Sequence, residues 1–255
     1  MLIDTHAHLY LKEFNEDLVE CINRFKNHGV QQVLMPNVDV ESIERMHLLE
    51  DENPDFFKSM MGVHPCYVKD DYLQQLSACK TWFEKRNYCA IGEIGIDLYW
   101  DKTTLGIQQD AFRQQIQWAK EWGKPIVIHA RESFQEIFQI IDEENTESLT
   151  GVFHCFTGGL DEARKIMSYG GFKMGVGGVL TYKKSGLDKT IAQVPLTELV
   201  LETDSPYLAP TPKRGERNEP SYLMYIAEKL SQVKGETVQT VAEATTENAK
   251  TLFNL

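Results

Sequence analysis

Eight short apolar runs rich in Val and Ile, separated by longer amphipathic stretches, constrain this chain more than anything else in it. The runs are 2–8, 31–38, 58–65, 89–97, 125–131, 150–156, 173–179 and 199–206. Between them, apolar residues recur at helical spacing over 15–28, 40–53, 71–87, 104–122, 133–145, 160–170 and 187–194, with further helices predicted at 219–233 and 237–252. Gly29, Gly123 and Gly170 stand where helices commonly end. A doubly wound sheet usually has fewer strands and a glycine-rich first turn, and neither GxGxxG nor GKS/T occurs here. The pattern predicts an α/β chain folded as one (β/α)8 TIM barrel over 1–255, with no linker or low-complexity run to mark a second domain. Its chemistry belongs at the carboxyl ends of the strands.

Those ends read His6 and His8 on the first strand, His64 on the third, Glu93 on the fourth, His129 on the fifth, His154 on the sixth and Asp204 on the eighth. Any one histidine is as readily a satisfied core residue as a ligand, but five of the seven at strand ends make coincidence a poor explanation. His28, before Gly29, reads as a helix C-terminal residue, and His47 lies in a polar helix. In a strand, period 2 puts His6 and His8 on one face with Cα atoms roughly 6.5 Å apart. Asp4 shares that face one step deeper and could orient an imidazole, and Glu202 has the same relation to Asp204.

Four imidazoles and two carboxylates are too many ligands for one catalytic zinc but suit a pair of ions. Glu93 is the expected bridge, joining an ion held by His6, His8 and Asp204 to one held by His129 and His154. Water between two divalent ions has its pKa pulled toward neutrality and becomes a hydroxide nucleophile, which is hydrolase chemistry. His64 is expected to serve neither ion and to donate to substrate or to the barrel rim. Arg131 shares a face with His129, where it could hold a phosphate or cap the strand. Asp97 could hold a loop or bind a ligand, and Cys155, next to His154, is expected to face the helix shell as packing.

Composition limits the partners. The net charge of -12, from 26 basic and 38 acidic residues, opposes generic nucleic-acid binding, so any such contact must be local and metal-assisted. Arg131, Lys183, Lys184, Lys213, Arg214 and Arg217 are the cations near strand ends, the last three in a tract after the eighth strand, where barrels often bind phosphate. Such a loop is otherwise ordinary solvated surface. Five cysteines without a CxxC argue against disulfides or a zinc knuckle. No run of about 18 apolar residues or export signal is visible, so a cytoplasmic chain away from membranes, with no obligate protein partner, is expected.

Several segments together resemble the TatD family of metal-dependent deoxyribonucleases. They are Leu2-Ile-Asp-Thr-His-Ala-His-Leu9, Gly62-Val-His-Pro65, Gly92-Glu-Ile-Gly-Ile-Asp97, Pro125-Ile-Val-Ile-His-Ala-Arg131, Gly151-Val-Phe-His-Cys-Phe-Thr-Gly158, Leu201-Glu-Thr-Asp-Ser-Pro206 and Arg214-Gly-Glu-Arg-Asn-Glu-Pro220. The likeness runs essentially end to end. It implies an amidohydrolase-type barrel, two divalent ions and 3′-5′ exonuclease or related DNase activity. It also implies His6 and His8 on one ion, Glu93 bridging, His129 and His154 on the other, and Asp204 as ligand or proton acceptor. The chain departs from the family pattern at Tyr10, where Asp or Asn commonly stands, and at Ser133 and Gln135, departures that bear on substrate rather than metal.

The expected activity is therefore a two-ion hydrolase, using Mg, Mn or Zn, that cleaves phosphodiester bonds in DNA, single-stranded or at ends. His64, Arg131, Arg214 and Arg217 are its candidate substrate contacts. A second reading is an amidohydrolase acting on a small amide, lactone or ester, including an aminoacyl ester, although such enzymes often bridge their ions with a modified lysine where Glu93 stands. A third is a metal-binding protein without catalysis, disfavoured by a complete ligand set.

Overall fold

The computed structural model describes residues 1–255. All eight expected strands form: β1 (Leu2–Asp4), β2 (Val30–Pro36), β3 (Phe57–Met60), β4 (Ile91–Asp97), β5 (Ile126–Arg131), β6 (Gly151–Phe153), β7 (Phe172–Val176) and β8 (Leu199–Leu201). Seven helices follow the first seven strands: α1 (Leu18–Asn27), α2 (Ile43–Glu52), α3 (Tyr72–Phe83), α4 (Leu105–Trp122), α5 (Phe134–Glu144), α6 (Leu160–Ser168) and α7 (Leu187–Ile191). After β8 come α8 (Leu223–Lys234) and α9 (Val238–Phe253). No helix is long and apolar enough to cross a membrane.

Every pairing is parallel, in two arcs ordered β1-β2-β3 and β4-β5-β6-β7-β8. Two seams close the ring. One is a bridge between Met61 and Ile91, with Gly92 N donating to Met61 O at 3.1 Å. The other is a bridge between Ala7 and Ser205, flanked by Thr5 N to Leu201 O at 3.0 Å and His8 N to Ser205 O at 2.7 Å. The result is a closed (β/α)8 barrel.

Hydrophobic burial falls into two layers. A large cluster of 55 buried residues lies between strands and helices, whereas the barrel interior holds a small one that includes Ile3, Leu34, Met60, Val127, Val152 and Val200. Ala249 and Phe253 of α9 join the inner cluster and plug the amino-terminal end of the ring. The apolar filling stops below the carboxyl end, where buried polar groups replace it.

Six strands end earlier than their apolar runs suggest, and four of them carry site residues just beyond. β1, β3, β6 and β8 stop at Asp4, Met60, Phe153 and Leu201, short of the histidines and Asp204 that follow. There, side-chain hydrogen bonds join backbone pairs such as Asp204 N to His6 O at 2.8 Å and His154 N to Ile128 O at 3.0 Å: Thr203 N donates to Asp4 Oδ1 at 2.9 Å, and the Asn218 amide donates to Thr203 O at 2.7 Å and Tyr207 O at 2.6 Å. The segments beyond the strands are thus fixed without being sheet. Glu132, Cys155, Asp204 and Leu208, all just past β5, β6 or β8, adopt positive φ of 54°, 44°, 60° and 53°. Non-glycine residues rarely hold such angles unless their surroundings impose them, and they gather at functional sites.

Candidate metal centre

Val127, Val152 and Val200 point into the barrel, so two-residue alternation puts His129, His154 and Glu202 on the inner face above them. On β4 the register slips between Ile91 and Ile94. Gly92 lies against the interior side chains of Val127 and Met60, a gap a Cβ would overfill at 2.7 Å from Val127 Cβ. Glu93 follows at the centre of the mouth, only 2% exposed.

The two oxygens of Glu93 face two different sets of imidazoles. Oε2 lies 3.1 Å from His6 Nε2 and 3.7 Å from His8 Nε2, and Asp204 Oδ1 joins this group at 3.7 Å and 3.6 Å from the same nitrogens. Oε1 lies 2.8 Å from both His129 Nδ1 and His154 Nε2, and 3.3 Å from His64 Nε2. Glu93 with His6 and His8, and Glu93 with His64 and His129, are accordingly groups able to hold a metal ion.

Other residues turn these nitrogens toward the centre. The Tyr10 hydroxyl donates to Pro36 O at 2.5 Å, so at 3.0 Å it can only accept from His8 Nδ1–H, which leaves the His8 Nε2 lone pair facing Glu93 and Asp204. Asp97 Oδ2 lies 2.9 Å from His129 Nε2 and by the same logic commits Nδ1 to the centre. His154 Nδ1 faces Glu202 Oε1 at 3.5 Å, and the His6 ring stacks on His154 with centroids 3.9 Å apart.

Does this donor set fit divalent cations? Metal–ligand bonds of about 2.0–2.2 Å set neighbouring donor atoms about 2.9–3.5 Å apart, and the spacings here run from 2.8 to 3.7 Å. Three imidazole nitrogens crowd one carboxylate oxygen, and they could not all be protonated without packing three positive rings together. A cation among the lone pairs resolves the conflict, so the residues fit.

Without an ion, the charges lean on one another. Burial would raise Glu93, but His154, His64 and His6 around it hold the carboxyl well below its usual range. Burial likewise opposes ionisation of Asp97, yet the His129 ring and two backbone N–H groups hold it at about 2. Burial pushes Asp4 up to about 8.

The centre opens into a cavity of about 630 Å³ lined in part by His8, His64, Glu93, His129, His154 and Asp204. His64, expected to stand outside both ions, is drawn into the Oε1 group, because β3 ends at Met60 and the chain beyond leads it inward. Arg131 lines the cavity as expected and makes no ion pair, its guanidinium lying over the Tyr99 ring at 3.8 Å from the centroid. Arg214 is exposed over Tyr182 at 3.9 Å.

Four other expectations are corrected. Asp4 touches no imidazole: the chain bends at Thr5, and the carboxylate instead takes Thr203 N and Thr203 Oγ1, at 2.9 Å and 2.6 Å, tying β1 to the segment that carries Asp204. Glu202 backs His154 rather than Asp204, because positive φ at Asp204 breaks the alternation. Cys155 does not face the helix shell but lines the cavity, since β6 ends at Phe153 and the backbone turns through positive φ at Cys155. Arg217 is no free cation. It is clamped to Asp17 at 2.6 Å and 2.8 Å and to Glu13 O at 2.7 Å, beside an Arg24–Glu219 pair of 2.7 Å.

Sequence reasoning missed Tyr10 and Asn218 as positioning residues, and it gave Asp97 its hold on the loop at Tyr99 and Trp100 but not its hold on His129. Period 2 from His8 reaches Tyr10 and from Glu93 reaches Asp97, so a signal for two of them was present.

Comparison with known proteins bears on this centre. The family model described as TatD related DNase matches residues 3–254. The chain is 39% identical to the uncharacterized metal-dependent hydrolase YabD of Bacillus subtilis strain 168, covering 100% of both chains. It is 29% identical to the 3′-5′ ssDNA/RNA exonuclease TatD of Rahnella sp. strain Y9602, covering 100% of this chain and 98% of that one. The crystal structure of YjjV, a TatD homologue from Escherichia coli K12, superposes with a TM-score of 0.93 at 30% identity, covering 100% and 98% of the two chains. With a closed barrel and a histidine–carboxylate centre at its mouth, the chain belongs to the TatD-related family of metal-dependent hydrolases.

Proposed function

We propose that this chain is a two-ion phosphodiesterase that trims single-stranded DNA ends, of the 3′-5′ exonuclease type. The observation behind this is the division of Glu93, with Oε2 facing His6 and His8, which also adjoin Asp204, and Oε1 facing His129, His154 and His64. One carboxylate thus spans two ligand sets, the arrangement by which a pair of ions is bridged. The name of the Rahnella relative, a 3′-5′ ssDNA/RNA exonuclease, lends support at 29% identity.

Bound divalent ions supply Lewis-acid charge and acidify water in such a site. The protein's own groups do the rest. Tyr10 and Asp97 hold His8 and His129 in the tautomers whose lone pairs face inward. The Asp204 carboxylate, 13% exposed where Glu93 is 2% exposed, is the more open of these two acids lining the cavity and can take a proton from an attacking water. Arg131, which lines the cavity and has no carboxylate partner, would hold a phosphate of a strand entering the mouth, and the exposed, unpaired Arg214 would meet the strand farther out. The chelated chain, resupplied with Mg²⁺, Mn²⁺ or Zn²⁺, should shorten single-stranded DNA from the 3′ end faster than it hydrolyses small carboxylic esters. Ester turnover without DNA cleavage would transfer the site to the amidohydrolase reading.

A further inference from the structure

The loop after β4 carries a feature that the metal centre does not use. Tyr99 is 50% exposed and Trp100 70% exposed, the indole being as open as the N-terminal Met1. Large apolar rings left in water normally belong to segments with little order, but this turn is pinned. Asp97 Oδ1 accepts from Tyr99 N at 2.9 Å and from Trp100 N at 3.2 Å, while Oδ2 of the same carboxylate holds His129. Leu98 N donates to Arg131 O at 3.0 Å, which fixes the loop to β5 as well.

The arrangement above this turn is ordered too. The two rings stand edge to face, with centroids 4.9 Å apart and planes at 88°. The Arg131 guanidinium lies 3.8 Å from the Tyr99 centroid and 5.5 Å from that of Trp100, and it pairs with no carboxylate. Trp100 and Arg131 line the same cavity as Glu93 and His129. An exposed aromatic face, an unpaired guanidinium and the metal centre therefore lie along one wall, held by a single buried carboxylate.

We propose that Trp100 is a stacking platform for one unpaired nucleobase of a single-stranded end, with Arg131 holding the adjoining phosphate. This rests on the phosphodiesterase reading above and names the part of the substrate that the wall selects. A base inside a duplex already has both faces stacked and offers none to an indole. An unstacked base gains contact at any sequence, because every base has a π-face. The chain is acidic overall, at -12, so phosphate attraction is weak, and stacking supplies what charge does not. Preference for single strands then follows from the wall rather than from the ions.

The test uses the full-length chain, loaded with whichever divalent ion supports hydrolysis, and a single-stranded deoxyoligonucleotide. Trp100→Ala should raise KM for the oligonucleotide about tenfold, equivalent to about 1.4 kcal/mol, with kcat near wild type, and Trp100→Phe should recover most of the loss. An oligonucleotide abasic at its 3′ terminal position should erase the difference between Trp100→Ala and wild type. As a readout apart from turnover, oligonucleotide binding should quench tryptophan emission in the wild type and quench it much less in Trp100→Phe. If wild type cleaves the oligonucleotide and Trp100→Ala shows the same KM, the platform is overturned while the phosphodiesterase reading stands. If wild type neither binds nor cleaves it, both fall together.

Discussion

Replacing Tyr10 by Phe removes one oxygen and tests whether the centre depends on a fixed histidine tautomer. Tyr10 is 3% exposed, and its hydroxyl is the sole partner of His8 Nδ1 and also donates to Pro36 O. Phe fills the same space, so no cavity forms, but a buried N–H and a buried carbonyl lose their partner. Leaving such groups unsatisfied costs about 1–3 kcal/mol. For a chain of this size that lowers the melting temperature by roughly 2–10 °C. The larger effect falls on the metal: His8 becomes free to carry its proton on Nε2, which removes a lone pair from the group with Glu93 and Asp204. Loss of such an orienting partner typically weakens metal affinity about 10–100-fold. Differential scanning calorimetry and titration of Mn²⁺ into the chelated protein read the two effects separately. A Tyr10→Phe chain with wild-type metal affinity would refute the tautomer argument, and with it the assignment of His8 Nε2 to the centre.

Further outcomes follow from the same geometry. Asp97→Ala frees His129 and unpins Tyr99 and Trp100, so metal affinity should drop about 10–100-fold and oligonucleotide KM should rise in the same variant, whereas a change in only one would uncouple metal centre from loop. Arg214→Ala should flatten the slope of log affinity for single-stranded DNA against log salt by about 0.7, one phosphate contact's worth. Arg217→Ala should leave that slope unchanged and instead destabilise the chain by about 1–2 kcal/mol through loss of its pairs with Asp17. Hydrogen bonds from Arg217 and Arg24 hold Asp17 below its unfolded value of 3.8, so the folded state binds fewer protons there. That stabilisation is complete above about pH 4 and is lost as pH falls, so wild type and Arg217→Ala should converge in melting temperature in acid. A gap that widens in acid would reverse the sign.

The eight strands could be read from sequence because most of their residues are buried, on both faces in β1, β4, β6 and β8, and so appear as short runs rich in apolar residues. Their ends could not, since His6, His154 and Asp204 lie where isolated backbone pairs mix with hydrogen bonds to side chains, and nothing local in the chain marks that change. Alternation carried His129 correctly onto the inner face. It failed at Cys155 and below Asp204, because positive φ at non-glycine residues is imposed by surroundings and is not encoded in residue type. Arg217 read as a free cation because its partner Asp17 lies 200 residues earlier. Tyr10 read as a departure bearing on substrate because its role is set by Pro36 O on a neighbouring strand, a contact only the folded barrel makes.

The central claim is that one carboxylate holds two ions whose joint presence cleaves DNA. The most direct measurement adds divalent ion back to the chelated chain and follows shortening of a single-stranded oligonucleotide against ions bound per chain. The account predicts no cleavage at zero ions and a rise that saturates at two, with Glu93→Ala binding fewer than two and remaining inactive. Cleavage that persists after complete removal of metal, or a Glu93→Ala chain that still binds two ions, would contradict it.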